Sequence, residues 1–161
     1  MKEAYAAAQY EKACALLPGR LSLLALSIPS QQMAKTEEIR LQIGQPVCLS
    51  MPEGELALAQ TRVISDDLEY VLDRVTEFSP YTAAESMRQG YVTGEGGFRV
   101  GVCGTILSGE GQSQGIRDIS SLAIRIPRAR EDLAHPLLGQ LLHRGRLVNT
   151  LILSPPGGGK T

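Results

Sequence analysis

At 161 residues with 43% hydrophobic side chains, the chain is long enough for one compact domain and the start of another. A formal net charge of −1 and a sequence pI near 6.1 argue against a protein devoted to nucleic acid or to an anionic membrane surface. Aromatic residues make up 4% and tryptophan is absent, which leaves little to stack single-stranded bases.

Cys14, Cys48 and Cys103 are odd in number and widely spaced in apolar surroundings. This fits buried free thiols in a cytosolic protein, with no disulfide framework and no metal-ligand spacing. Met1-Lys-Glu-Ala-Tyr lacks the basic-then-apolar build of a secretory signal. No apolar run approaches ~18 residues, so no direct membrane insertion is expected.

Lys2 to Leu17, rich in Ala, Glu, Lys and Leu, predicts a helix ended by Pro18-Gly19. A second short helix covers Arg20 to Ser27, and a third runs from Ser30 to Lys35. Glu38 to Ile43 alternates charged and apolar residues as a half-buried strand does. Val47 to Ser50, Leu56 to Leu58 and a short stretch around Arg62 to Ile64 continue an antiparallel meander. Ser65 is the expected N-cap of the next helix, with Asp66 and Asp67 in its first turn. Leu68, Val71, Leu72 and Val75 recur at helical spacing and face a core. Thr82-Ala-Ala-Glu85 is a capping box that opens a further helix to Gln89, stopped by Gly90.

Tyr91-Val-Thr and Phe98 to Gly104 read as two strands around the tight connection Gly94 to Gly97. Phe98, Val100 and Val102 share one face; Arg99, Gly101 and Cys103 share the other. Ser108 to Gly115 is Gly/Ser/Gln-rich and predicts an exposed loop. Ser121 to Ile126 is a third strand with Leu122, Ile124 and Ile126 inward and Arg125 outward. Arg99, Arg117, Arg125, Arg128 and Arg130 thus gather around one hairpin region, where small neighbours leave a flat surface. Guanidinium forks bind phosphate oxygens bidentately, so Arg99 and Arg125 are candidate phosphate sensors. For any single outward arginine the commoner role is that of a solvated strand residue paired with a nearby carboxylate such as Asp118. His135 and His143 lack partners at ligand spacing and make no metal site; Ser120-Ser121 has no nearby base.

A short helix from Pro136 to Leu142 is expected, then an apolar run, Leu147 to Leu153, that reads as a buried strand. It feeds Ser154-Pro-Pro-Gly-Gly-Gly-Lys160-Thr161, which fits G-x-x-x-x-G-K-[ST] except for Ser at the first position. Glycines let backbone N–H groups curl around phosphate oxygens that a Cβ would obstruct. A lysine reaches the outer phosphates and a threonine hydroxyl holds Mg²⁺. Pro156, Gly157, Gly158, Gly159, Lys160 and Thr161 are therefore the candidate nucleotide-binding residues. ATP and Mg²⁺ are the expected ligands, with Thr161 the metal contact through the nucleotide.

Four stretches taken together resemble the stage III sporulation protein AA family, bacterial ATPases related to the type II and type IV secretion ATPases. They are Glu38 to Val47, Gly90 to Gly104, Ile119 to Arg128 and Leu151 to Thr161. The resemblance implies an α+β domain packed on a RecA-like core in a hexameric motor. It implies action in the mother cell, peripheral to a channel complex built with membrane proteins of the same operon. It also implies that arginines of the first domain approach nucleotide phosphates, with Arg99 and Arg125 the nearest matches by topology.

The expected architecture is α+β. N-terminal helices over 1–35 precede an α+β domain over 36–143 with a mostly antiparallel sheet. Residues 144–161 then supply the first strand and phosphate loop of an α/β ATPase core, cut inside that loop. No catalytic residue is expected within the chain, because the second Mg²⁺ carboxylate and the catalytic Glu of such motors lie beyond the loop. Three readings follow: the front of an ATP-driven motor, a non-catalytic docking module of the channel complex, or a phosphate-loop ATPase whose accessory domain binds nucleic acid. The even charge makes the last the weakest.

Overall fold

The computed structural model describes residues 2–76, 86–109, 112–128, 135–151 and 153–155. It forms two compact units, Met1–Arg128 and Ala129–Thr161.

In the first unit, three helices come first: α1 (Lys2–Cys14), α2 (Gly19–Leu26) and α3 (Ser30–Lys35). Strands β1 (Glu38–Gln42), β2 (Pro46–Met51) and β3 (Gly54–Arg62) follow, then α4 (Ser65–Thr76). Strands β4 (Tyr91–Thr93), β5 (Arg99–Gly109) and β6 (Gln112–Arg125) complete it. All six strands form one sheet in the order β3-β2-β1-β6-β5-β4, every neighbouring pair antiparallel. This is the expected α+β arrangement of packed helices and antiparallel sheet.

The pleat decides which side is covered. Ile39, Leu41, Val47, Leu49, Val92, Val100, Val102, Leu122 and Ile124 point to one face and join a core with Tyr10, Leu21, Leu68 and Val71 from the helices. The Tyr10 hydroxyl donates to the Ala25 carbonyl oxygen at 2.8 Å, tying α1 to α2 inside that core. Each large aliphatic side chain buried there stabilises the fold by about 1.5–3 kcal/mol. The alternating residues Arg40, Cys103, Arg99 and Arg125 fall on the opposite, open face.

Local chemistry departs from the sequence expectation in three places. Helix α4 is capped by Asp67 rather than by Ser65. The Asp67 carboxylate accepts from the Ile64 N–H at 2.8 Å, and the Asp67 N–H bonds the Ile64 carbonyl at 3.2 Å. Asp67 is 3% exposed and also paired with Arg20, which fastens α2 to the start of α4. Strand β3 runs unbroken to Arg62, with an irregularity opposite Pro46/Val47. The Gly/Ser-rich segment expected as a loop instead extends the β5–β6 hairpin, with pairs as far as Gly109↔Gln112. Strand pairing uses backbone groups that every residue has, so composition does not reveal it.

The ribbon leaves the sheet at a bulge between Cys103 and Thr105. Asp118 adopts φ +48° there, and a Cβ on Gly104 would lie 2.7 Å from the Arg117 carbonyl oxygen. Only glycine fits that approach. At the end of β6, Arg128 donates to the Ala34 carbonyl at 3.3 Å and to the Lys35 carbonyl, closing the C-terminus of α3. The capping box expected at Thr82 to Glu85 lies outside the described residues.

The second unit has a single 3₁₀ turn (His135–Leu137), a short α5 (Leu138–Leu141) and a hairpin of β7 (Leu142–His143) with β8 (Arg146–Leu147). Arg144 and Gly145 both have positive φ, 50° and 76°, as a two-residue turn requires. The expected strand from Leu147 to Leu153 is realised only at Leu147 among the described residues. An extended segment needs neighbours for its N–H and C=O groups, and among the described residues no strand pairs with it after Leu147.

Candidate functional site

Two places carry chemistry. The first is the Gly-rich stretch. Leu151 and Leu153 are 82% and 84% exposed, and Ser154 Oγ donates to the Pro155 carbonyl at 2.9 Å. Pro156, Gly157, Gly158, Gly159, Lys160 and Thr161 lie outside the described residues.

The second is the open face of the sheet in the first unit. Register builds it. Arg99 stands directly opposite Arg125, which stands opposite Glu38. One row along, Tyr91, Gly101, Ala123 and Arg40 lie side by side. Two guanidinium-bearing residues are thus cross-strand neighbours above a floor of Gly101 and Ala123. Like charges in that position repel and destabilise a sheet unless something answers them.

The two arginines are answered differently. Arg125 Nε lies 3.8 Å from Glu38 Oε2, with a side chain 72% exposed. Glu38 is shared, because its Oε1 also accepts from Arg40 Nε at 2.6 Å, and Arg40 pairs with Glu55 as well. The bond and charge of Glu38 hold the Arg40 proton even more firmly than usual. Arg99 has no carboxylate among the described residues. Its guanidinium carbon lies 3.9 Å from the centre of the Tyr91 ring. The Tyr91 hydroxyl donates to Gln89 Oε1 at 3.3 Å.

The five arginines grouped in the sequence therefore separate. Arg99 and Arg125 come together. Arg117 sits on the projecting ribbon beside Asp118 at 3.5 Å. Arg128 closes α3 and lies 3.5 Å from Glu37. Arg130 is outside the described residues. Sequence reasoning missed Tyr91. The signal was available: a hairpin folded about Gly94 to Gly97 with Thr93 opposite Arg99 puts Tyr91 one diagonal step from that arginine.

On the helical side, a cavity of about 330 Å³ is lined by Lys12, Leu16, Arg74, Val75, Glu95, Gly96 and Phe98. Burial pushes the Cys14 thiol up to about 12. Cys14 is therefore a packing residue and no nucleophile. Cys103 is exposed on the open face and Cys48 is half-buried. Among the described residues no group of His, Cys, Asp and Glu could hold a metal ion.

A family model described as sporulation stage III, protein AA matches residues 8–161. The chain belongs to this family. It is 38% identical over 146 residues to the stage III sporulation protein AA of Bacillus subtilis (strain 168), across 91% of this chain and 47% of that protein. It thus spans about half the length of that curated relative. Among solved structures it is similar to the Legionella pneumophila ATPase DotB, at 18% identity and a TM-score of 0.32, over 57% of this chain and 25% of that one. For this family member, no helix among the described residues is long and apolar enough to cross a membrane. The matched region includes both places described above, the arginine face and the Gly-rich stretch.

Proposed function

We propose that this chain is the N-terminal portion of an ATP-binding and ATP-hydrolysing motor of sporulation, of the secretion-ATPase type. It would energise a channel complex between mother cell and forespore. The observation that carries the reading is the signature Ser154 to Thr161, set after an apolar run inside the region matched to the family. Its donor set fits a magnesium nucleotide. Three successive glycines, Gly157 to Gly159, offer amide N–H groups, Lys160 a cation for the β- and γ-phosphates, and Thr161 a hydroxyl oxygen for Mg²⁺. When bound, Mg²⁺ would neutralise charge developing on the transferred phosphate.

In this reading Arg99 and Arg125 sense phosphate with their forked donors. The protein works as a homo-oligomer, a hexamer by family resemblance, in the mother-cell cytoplasm beside membrane partners of the same operon. The test is nucleotide binding by the whole protein. Lys160→Ala is expected to remove Mg²⁺-dependent ATP binding. Undiminished binding overturns the reading.

One observation favours a second use for the first unit. Among the described residues, Arg40, Arg99, Cys103 and Arg125 stand exposed on one face of the six-stranded sheet, around the small, half-buried Gly101 and Ala123. That supports a docking module of the same complex, with or without turnover. Variants that abolish ATP hydrolysis and still support channel assembly separate the two. Salt-sensitive binding of single-stranded DNA points instead to an accessory nucleic-acid role.

A further inference from the structure

We infer that Tyr91 is the positioning residue for anion recognition on the open sheet face, holding Arg99 ready as the first contact while Glu38 keeps Arg125 back. This rests on the phosphate-sensing reading of the two arginines and deepens it.

The two arginines differ in which donors are free and in how far each is ordered beforehand. The Arg99 guanidinium carbon lies over the Tyr91 ring, 3.9 Å from its centre. Stacking of this kind uses the π face and leaves the in-plane N–H donors for a bidentate anion. The ring is itself held, by the Tyr91 pairing with Gly101 and by its hydroxyl bond to Gln89 at 3.3 Å. An arginine already ordered loses less rotamer freedom when an anion arrives. Among the described residues, a Cβ on Gly101 would meet only Ala123, at 3.7 Å and beyond, so the approach stays open. A glycine there keeps the floor low beside Arg99, though packing does not demand it.

Arg125 is in a different state. Its Nε lies 3.8 Å from a Glu38 oxygen, and the same carboxylate is gripped by Arg40 at 2.6 Å. An incoming anion must compete with Glu38 for Arg125, whereas Arg99 meets it without a competing carboxylate among the described residues. A phosphate oxyanion with several oxygens can then span the cross-strand pair, whose backbones are about 5 Å apart. The face would work in two steps: capture by Arg99, then recruitment of Arg125 from Glu38.

The experiment titrates inorganic tripolyphosphate at low salt into the chain carrying Lys160→Ala, which silences the Gly-rich loop. The Arg99 Nε–H resonance and calorimetry report binding. Tyr91→Phe keeps the ring and is expected to bind within about twofold of the parent. Tyr91→Leu keeps apolar bulk without the ring's charge distribution, and is expected to bind about two- to fivefold more weakly, the range of an exposed cation–π contact. Glu38→Gln is expected to bind more tightly, because Arg125 no longer has a competitor. Parental affinity in Tyr91→Leu, or weaker binding in Glu38→Gln, overturns the inference and leaves the phosphate reading standing. Should Tyr91→Leu fail to fold, Glu38→Gln and the Arg99 resonance in Tyr91→Phe decide alone. If the parent shows no binding, or if Arg99→Gln binds as well as the parent, the phosphate reading itself fails.

Discussion

The two units bury their apolar residues in opposite ways. In the first, the buried core runs from Tyr10 to Ile126, with Leu41, Leu49 and Ile124 at 0% exposure. In the second, Leu147, Leu151 and Leu153 stand 75%, 82% and 84% exposed. Both regions are apolar in sequence, yet only one has elements that cover each other. The first has strands that alternate in and out and helices to close the inner face. The second has the run Leu147 to Leu153, apolar apart from Asn149 and Thr150, the composition of a strand buried by neighbours in an α/β sheet. Apolar composition alone thus marks a residue that wants cover and says nothing of whether the cover is local.

The sharpest way to break that contrast is paired truncation. Leu41→Ala is expected to cost about 2–5 kcal/mol in urea unfolding, through lost burial and a residual cavity. Leu151→Ala, at the other extreme, should change stability by less than about 0.5 kcal/mol. Equal effects would dissolve the distinction. Between them, Gly104→Ala should cost about 1–3 kcal/mol, because the new methyl meets the Arg117 carbonyl and the bulge must open. A melt unchanged from the parent would show that the bulge yields freely.

Titration sharpens the picture of the core. Cys14 has an ordinary value of 9.0 and is pushed up to about 12, chiefly by burial. Above pH 9.0 the unfolded chain releases this proton and the folded chain keeps it. The folded state then holds more protons, so stability falls as pH rises and the loss is complete near pH 12. Tyr10, raised by the same burial, acts in the same direction. Urea midpoints across that window should fall less steeply for Cys14→Ala. An identical slope would remove Cys14 from the account. Arg128→Ala is expected to cost about 0.5–1.5 kcal/mol. It should appear as faster hydrogen exchange at the end of α3, whose carbonyls Arg128 closes.

Much of the first unit was legible because its strands obey a period of two. Phe98, Val100 and Val102 against Arg99, Gly101 and Cys103 split as the pleat demands, as did Leu122 and Ile124 against Arg125. Helix α4 was equally clear from Leu68, Val71, Leu72 and Val75. What stayed hidden depends on partners far along the chain. The placement of β6 between β1 and β5 brings Glu38 to Arg125, and no local pattern encodes that. Asp67 read as a helix-start charge and proved to be a buried clasp for Arg20, 47 residues away. Ser108 to Gly115 read as a loop because strand pairing there uses backbone groups that every residue has. The arginine pair was visible as two outward residues. The unequal hold on them by Tyr91 and Glu38 emerged only with the register.

The most direct test of the account is steady-state ATP hydrolysis by the whole protein, compared among the parent, Lys160→Ala and Arg99→Ala. The expected result is Mg²⁺-dependent turnover in the parent, none in Lys160→Ala, and slowed turnover with nucleotide still bound in Arg99→Ala. Turnover that survives Lys160→Ala would contradict the motor reading at its root.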